Sequence, residues 1–235
     1  LVPDPSPTAP EFTPNPLRND AWAEAGRCTE RLVRRVEGVT DRVRAGHHQV
    51  FLVSTDGGDV RQLTDGPHDH GGPLAQTVKV VGIGRIAWAA DGRSIVMSLN
   101  RDPVIPGAHA PARTLNCDVY DYAVDDGRVT RLTDFGGAAC NAAVSPDGRW
   151  IAFVGFRNTR KAFHTQVLHV MDRHGGEPRA LTHPRGLEVH AAFEWTPDSA
   201  GLLALYVDGG AGCLARVDLD GRWTTLSTAV GGSAG

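Results

Sequence analysis

No stretch of this chain approaches the roughly 20 consecutive apolar residues that a bilayer-spanning helix needs, so no helical membrane span is expected. An excess of positive charge is also missing. Lys and Arg number 24 against 27 Asp and Glu, for a formal net charge of −3. Such a balance supplies no basic field to attract nucleic acid or anionic lipid, and neither partner is expected. Cysteine is sparse: Cys28, Cys117, Cys140 and Cys213 stand far apart with no Cys-x-x-Cys pair. That spacing argues against a zinc knuckle or a redox dithiol and reads as buried thiols, their even number leaving disulfides open. The ten histidines include no His-Glu-x-x-His pair, although His68 and His70 flank Asp69 and His47 adjoins His48. No metal site and no cofactor are expected.

Turn formers are plentiful. The 235 residues include 28 Gly and 15 Pro, spread along the chain, with a hydrophobic content of 41%. There is enough apolar material for a core, and the punctuation suits many short strands better than long helices, so the class is all-β. The Pro-rich opening, Leu1 to Pro16, reads as part of an extended arm over residues 1–30. The expected compartment is cytoplasmic, an opening without Met being compatible with a removed leader.

One short pattern recurs. Trp88-Ala89-Ala90-Asp91-Gly92 precedes Ile95-Val96-Met97, Val144-Ser145-Pro146-Asp147-Gly148 precedes Ile151-Ala152-Phe153, and Trp195-Thr196-Pro197-Asp198-Ser199 precedes Leu202-Leu203-Ala204. Pro fixes φ and Gly supplies positive φ, so each is a tight hairpin between the first and second strands of a unit. A third strand, a Gly turn and a fourth strand ending Leu-Thr or its equivalent follow, with that Leu at 63, 132, 181 and 226. A period of about 40–50 residues with four strands per period is the signature of a β-propeller of four-stranded antiparallel blades. About three and a half blades are predicted over residues 31–235. Propellers close with roughly four to eight blades, so this is expected to be an incomplete run.

The wording of the repeats, with Ser145-Pro146-Asp147-Gly148, the Leu-Thr strand ends and Gly175-Gly176-Glu177-Pro178, resembles TolB-like and peptidase propellers. Gln62 to Gly71, Ser98 to Asp102, Leu168 to Asp172 and Leu214 to Gly221 resemble, in their order, the N-terminal propeller of the prolyl oligopeptidase family, in its acylaminoacyl-peptidase-like branch. The resemblance implies a propeller that gates short peptide substrates above an α/β-hydrolase domain carrying a Ser, Asp and His triad. That catalytic domain is absent from this sequence. The implied function is substrate gating in a serine peptidase acting by acyl transfer, with the hydrolase domain and a short peptide as partners. A homo-oligomer is a further partner class. The alternative is a TolB-like propeller acting as a non-enzymatic protein-interaction scaffold. On either reading this chain alone carries no catalytic residues.

Two catalytic or cofactor motifs match formally and fail in context. Gly231-Gly232-Ser233-Ala234-Gly235 has the form of a nucleophile elbow, but no Asp or His follows Ser233. Gly82-Ile83-Gly84-Arg85-Ile86-Ala87 has the form of a dinucleotide fingerprint, which must open a helix, whereas a strand end and turn are predicted next. Asp125-Asp126 reads as a solvated turn, and Trp88 and Trp195, at matching repeat positions, read as blade core. In an up-and-down blade the short turns share one face and the long, varied connections share the other, where binding is expected to concentrate. Arg101, Asp102 and Arg157 are the predicted substrate contacts there, Arg for a carboxylate and Asp for an amine, with ion pairing as their competing role.

Overall fold

The computed structural model describes residues 49–57, 60–66, 70, 72–73, 83–101, 116–158, 164–182 and 187–230; the predicted arm lies outside them. Strands and turns without helix make up the described residues. A half blade pairs β1 (Phe51–Val53) with β2 (Val60–Gln62), and a short pair joins β3 (Gly72–Pro73) to β4 (Ile83–Gly84). Three complete antiparallel blades follow. They are β5 (Ile86–Trp88), β6 (Ser94–Leu99), β7 (Asp118–Ala123) and β8 (Val129–Arg131); β9 (Ala138–Val144), β10 (Trp150–Phe156), β11 (Val167–Asp172) and β12 (Arg179–Ala180); and β13 (Glu188–Trp195), β14 (Gly201–Asp208), β15 (Ala211–Asp218) and β16 (Trp223–Ser227). Each sheet runs in sequence order, so the described residues form the predicted four-stranded antiparallel propeller blades, as an unclosed run.

The recurring Leu-Thr is a clasp between the fourth and third strands. Backbone N–H groups of Leu63, Leu132 and Leu181 each donate to the carbonyls of Val50, Val119 and Leu168 at 2.8 Å. The following Thr64, Thr133 and Thr182 are buried, and their Oγ1 atoms accept the N–H groups of the same three residues at 2.9, 2.9 and 3.0 Å. A buried hydroxyl must find such a partner, which is why Thr rather than Val closes the strand. In the last blade Ser227 does not repeat the clasp, and Leu226 is 52% exposed.

The hairpin Asp works locally. Oδ1 of Asp91, Asp147 and Asp198 accepts the N–H two residues on, at 2.9, 3.0 and 3.0 Å. Asp147 and Asp198 also accept the hydroxyls of Ser145 and Thr196, a bond that Ala89 cannot supply in the first complete blade. These hydroxyls, and next the backbone N–H groups of Arg149 and Ala200, hold both carboxyls below the usual range. Ser199 occupies the position that Gly92 and Gly148 take elsewhere and carries their positive φ, at 58°. Its Oγ accepts the Asp147 N–H at 3.0 Å, so a conformation that L-residues disfavour is held by a bond to the neighbouring blade's turn.

Apolar residues alternate between the two faces of each blade. In the middle blade Ile151, Phe153 and Met171 pack towards the first blade with Val96, Val119 and Phe135. Ala152, Val154, Leu168 and Val170 pack towards the last with Val189, Leu202 and Val217. Arg173 adds a polar tie between blades, donating to Ser94 Oγ at 2.8 Å and Asp121 Oδ1 at 2.6 Å while only 12% exposed. Tyr122 donates to the Leu63 carbonyl and secures the half blade to the first; burial, ahead of smaller charge effects, raises its phenol above the ordinary value.

Candidate functional site

The innermost strands β5, β9 and β13 each have a sheet neighbour on one side only, apart from an isolated bridge between Cys117 and Ala138 at the start of β9. Segments of all three line a cleft of about 470 Å³, with Arg85, Trp88, Ser145, Pro146, Glu194 and Trp195 in its wall. The open edge of a strand paired on one side only offers backbone donors and acceptors to whatever enters.

Arg85 links the three strands. Preceding β5, it gives its backbone N–H to Asn141 Oδ1 in β9 at 3.2 Å. Nη1 donates to the Phe193 carbonyl and Nη2 to Glu194 Oε2 in β13, both at 3.0 Å. The sequence places Asn141 for this by breaking a strand rule. Its φ is 55°, within the left-handed region that Asn enters more readily than most residues, and the β9–β10 ladder shifts register between Ala152 and Val154 opposite it. The bulge turns a core strand towards the cleft.

Two indoles flank this pair. Trp195 is half-buried and donates its Nε1–H to the Ala143 carbonyl at 3.1 Å, joining β13 to β9. Trp88, expected in the blade core, is instead 51% exposed on the cleft wall. Its partner across the ladder is Ile95, but β5 is short and lies at the sheet's edge, so among the described residues nothing covers the indole's outer side. The Arg85–Glu194 pair is partly solvated, so its attraction is modest and either charge can be exchanged onto a ligand at small cost.

The residues predicted from the long-loop face lie elsewhere. Arg101 follows β6, with its guanidinium 4.8 Å from the centre of the Tyr120 ring. Arg157 follows β10, ion-paired to Glu177, 4.6 Å over the Phe135 ring and donating to the Phe135 carbonyl at 3.2 Å. Both stand beyond the strand ends opposite the Asp turns, neither lines the cleft, and Asp102 lies outside the described residues. Ser233 is outside them too. Ile83 and Gly84 of the formal fingerprint form β4 and are followed by strand β5, not a helix. Among the described residues no three His, Cys, Asp or Glu side chains group as a metal site.

No family model matches the chain. An uncharacterized protein of Agrobacterium fabrum is 29% identical over 134 residues, covering 56% of this chain and 35% of its own length. A structure described as a putative TolB from Agrobacterium tumefaciens superposes with a TM-score of 0.55 at 22% identity, over 79% of this chain and 58% of that one. The fold the two share is the β-propeller. A prolyl endopeptidase structure overlaps at 16% identity with a TM-score of 0.45, over 77% of this chain and 28% of that one, a level that carries no argument. The chain thus spans about a third of the curated relative and somewhat over half of the TolB structure.

Proposed function

We propose that this chain is a binding scaffold, a TolB-like propeller segment that takes an extended peptide along its inner strands. The observation that supports this is the exposed Trp88 on a cleft walled by one-sided strands and spanned by the Arg85–Glu194 pair. Free strand edges suit the main chain of an extended peptide, an indole suits a proline or aromatic side chain, and a separable ion pair suits a charged one. The test is a titration with short unstructured peptides that vary a proline or aromatic residue and a charge, followed by tryptophan emission. A saturable change weakened at least tenfold in Trp88→Ala supports the reading. Emission that never saturates, or equal affinity in the variant, overturns it.

Gating of a serine peptidase is a second role for the same scaffold, favoured by the order of the segments from Gln62 to Gly221. It requires an α/β-hydrolase domain on the full gene product. Labelling of that product by a serine-directed fluorophosphonate, blocked by a short peptide, would establish the gate. A product without label would leave the scaffold alone.

A further inference from the structure

Arg85 and Glu194 are, among the described residues, the only charged side chains in the wall of the cleft, and they are not held alike. Arg85 is fixed from several directions. Its backbone N–H rests on Asn141, its Nη1 on the Phe193 carbonyl, and its guanidinium lies 6.0 Å from the centre of the Phe193 ring, which is buried between the blades. The Glu194 carboxylate is held by Arg85 Nη2 alone, and the side chain is 69% exposed against 36% for Arg85. A guanidinium has five N–H donors, of which this one spends two, on the Phe193 carbonyl and on Glu194, so donors remain for a ligand. Breaking the pair therefore moves one partner and not the other. Glu194 turns out into water at small cost, while Arg85 keeps its seat on Phe193. A fixed guanidinium with spare donors takes a carboxylate through its fork. A ligand cation would instead have to be held by the exposed, rotatable Glu194 beside an Arg85 charge that repels it.

We propose that the cleft selects peptides bearing a carboxylate, and that Glu194 is an internal competitor that occupies Arg85 until such a carboxylate displaces it. This rests on the peptide-scaffold reading and adds to it the sign of the ligand's charge and a latch that keeps the empty cleft neutral. The exchange is between ion pairs only: the ligand's carboxylate takes the Nη2 donor and those left over, and the Glu194 carboxylate goes to water. Arg85 precedes Trp88 by three residues, about 10 Å along an extended strand. The selected carboxylate therefore lies about three residues from the proline or aromatic side chain that rests on the Trp88 indole.

The full chain is titrated, by tryptophan emission, with short acetylated and amidated peptides that carry a proline and, three positions to either side of it, Glu, Gln or Lys. The Glu peptide should bind at least about threefold more tightly than its Gln counterpart, and the Lys peptide no more tightly than the Gln one. Glu194→Gln should widen the Glu-to-Gln ratio by about two- to fivefold, the range that a partly solvated ion pair allows. Asp220→Asn makes the same change in net charge at an exposed pair outside the cleft wall and should leave the ratio at the parent's value. Arg85→Gln should bring the ratio close to one. Should that variant fail to fold, Arg85→Lys, which keeps the charge and loses the fork, should reduce the ratio without abolishing it. Saturable, Trp88-dependent binding with a ratio near one in the parent, with the Lys peptide preferred, or with a ratio that Glu194→Gln leaves unchanged or narrows would overturn this proposal and leave the scaffold reading standing. Absence of saturable binding by every peptide would overturn both.

Discussion

Among the described residues the middle blade, β9–β12, is covered on both faces, whereas the last, β13–β16, is covered on one, and the sequences of their second strands record the difference. Every residue of β10 from Ile151 to Phe156 is buried. In β14 burial alternates: Leu202, Ala204 and Tyr206 are buried, while Leu203, Leu205 and Val207 are half-buried on the outward face. Both strands carry six apolar residues, so hydrophobicity marks membership of a propeller while neighbours decide which face stays wet. The half blade at the other end repeats the pattern, with Phe51 and Val53 outward at 44% and 55% exposure and Leu52 packed inward.

The largest effect is expected where backbone meets backbone in the middle blade. A Cβ on Gly155 would lie 1.7 Å from the Ala138 carbonyl oxygen. Gly155→Ala should cost about 3 kcal/mol or more, or abolish folding, by urea denaturation. Gly210, with open space around its Cβ position but a φ of 84° in the last blade, should lose only about 1 kcal/mol on the same change.

Next come paired truncations. Val154→Ala should lose about 2 kcal/mol, and Leu205→Ala, although it deletes more carbon, under about 1 kcal/mol. Equal losses would mean that the outward face of β14 is covered in solution. The polar ties sort the same way. Arg173→Ala, leaving Asp121 without its partner between blades, should lose about 2 kcal/mol, and Arg222→Ala, at an exposed pair in the last blade, about 0.3 kcal/mol or less. Thr182→Val should cost about 1–2 kcal/mol by orphaning the Leu168 N–H, with Ser227→Ala near neutral.

The smallest effect is shared by both blades. The Asp147 and Asp198 carboxyls sit below their ordinary value of 3.8 in the folded chain, so they favour folding above that pH and lose this contribution as pH falls through their folded values. Ser145→Ala should move the Asp147 titration, followed by carboxyl NMR, back towards the ordinary value and leave Asp198 unmoved.

Much of this frame was legible in the residues. Asp turns, Leu-Thr ends and period gave the blades because each is a local device: an Asx bond two residues long, or a clasp between adjacent strands. The cleft was hidden for the opposite reason. Arg85 meets Glu194 over a sequence separation of 109, and Asn141 reaches the site through a bulge with no Gly to announce it. The matched positions of Trp88 and Trp195 were the available signal, but repetition suggested common burial, and only the short, one-sided β5 exposes one of the two. Loops that vary single out Arg101 and Arg157 for binding or for ion pairing, and each sits over an aromatic ring beside its own strand end.

The inner-strand cleft is tested most directly by hydrogen exchange of the chain with and without a peptide that saturates the tryptophan signal. Slowed exchange confined to residues 86–90, 142–147 and 193–196 is the predicted footprint. Protection around Arg101 and Arg157 with the inner strands unchanged would contradict it and return the binding face to the long loops.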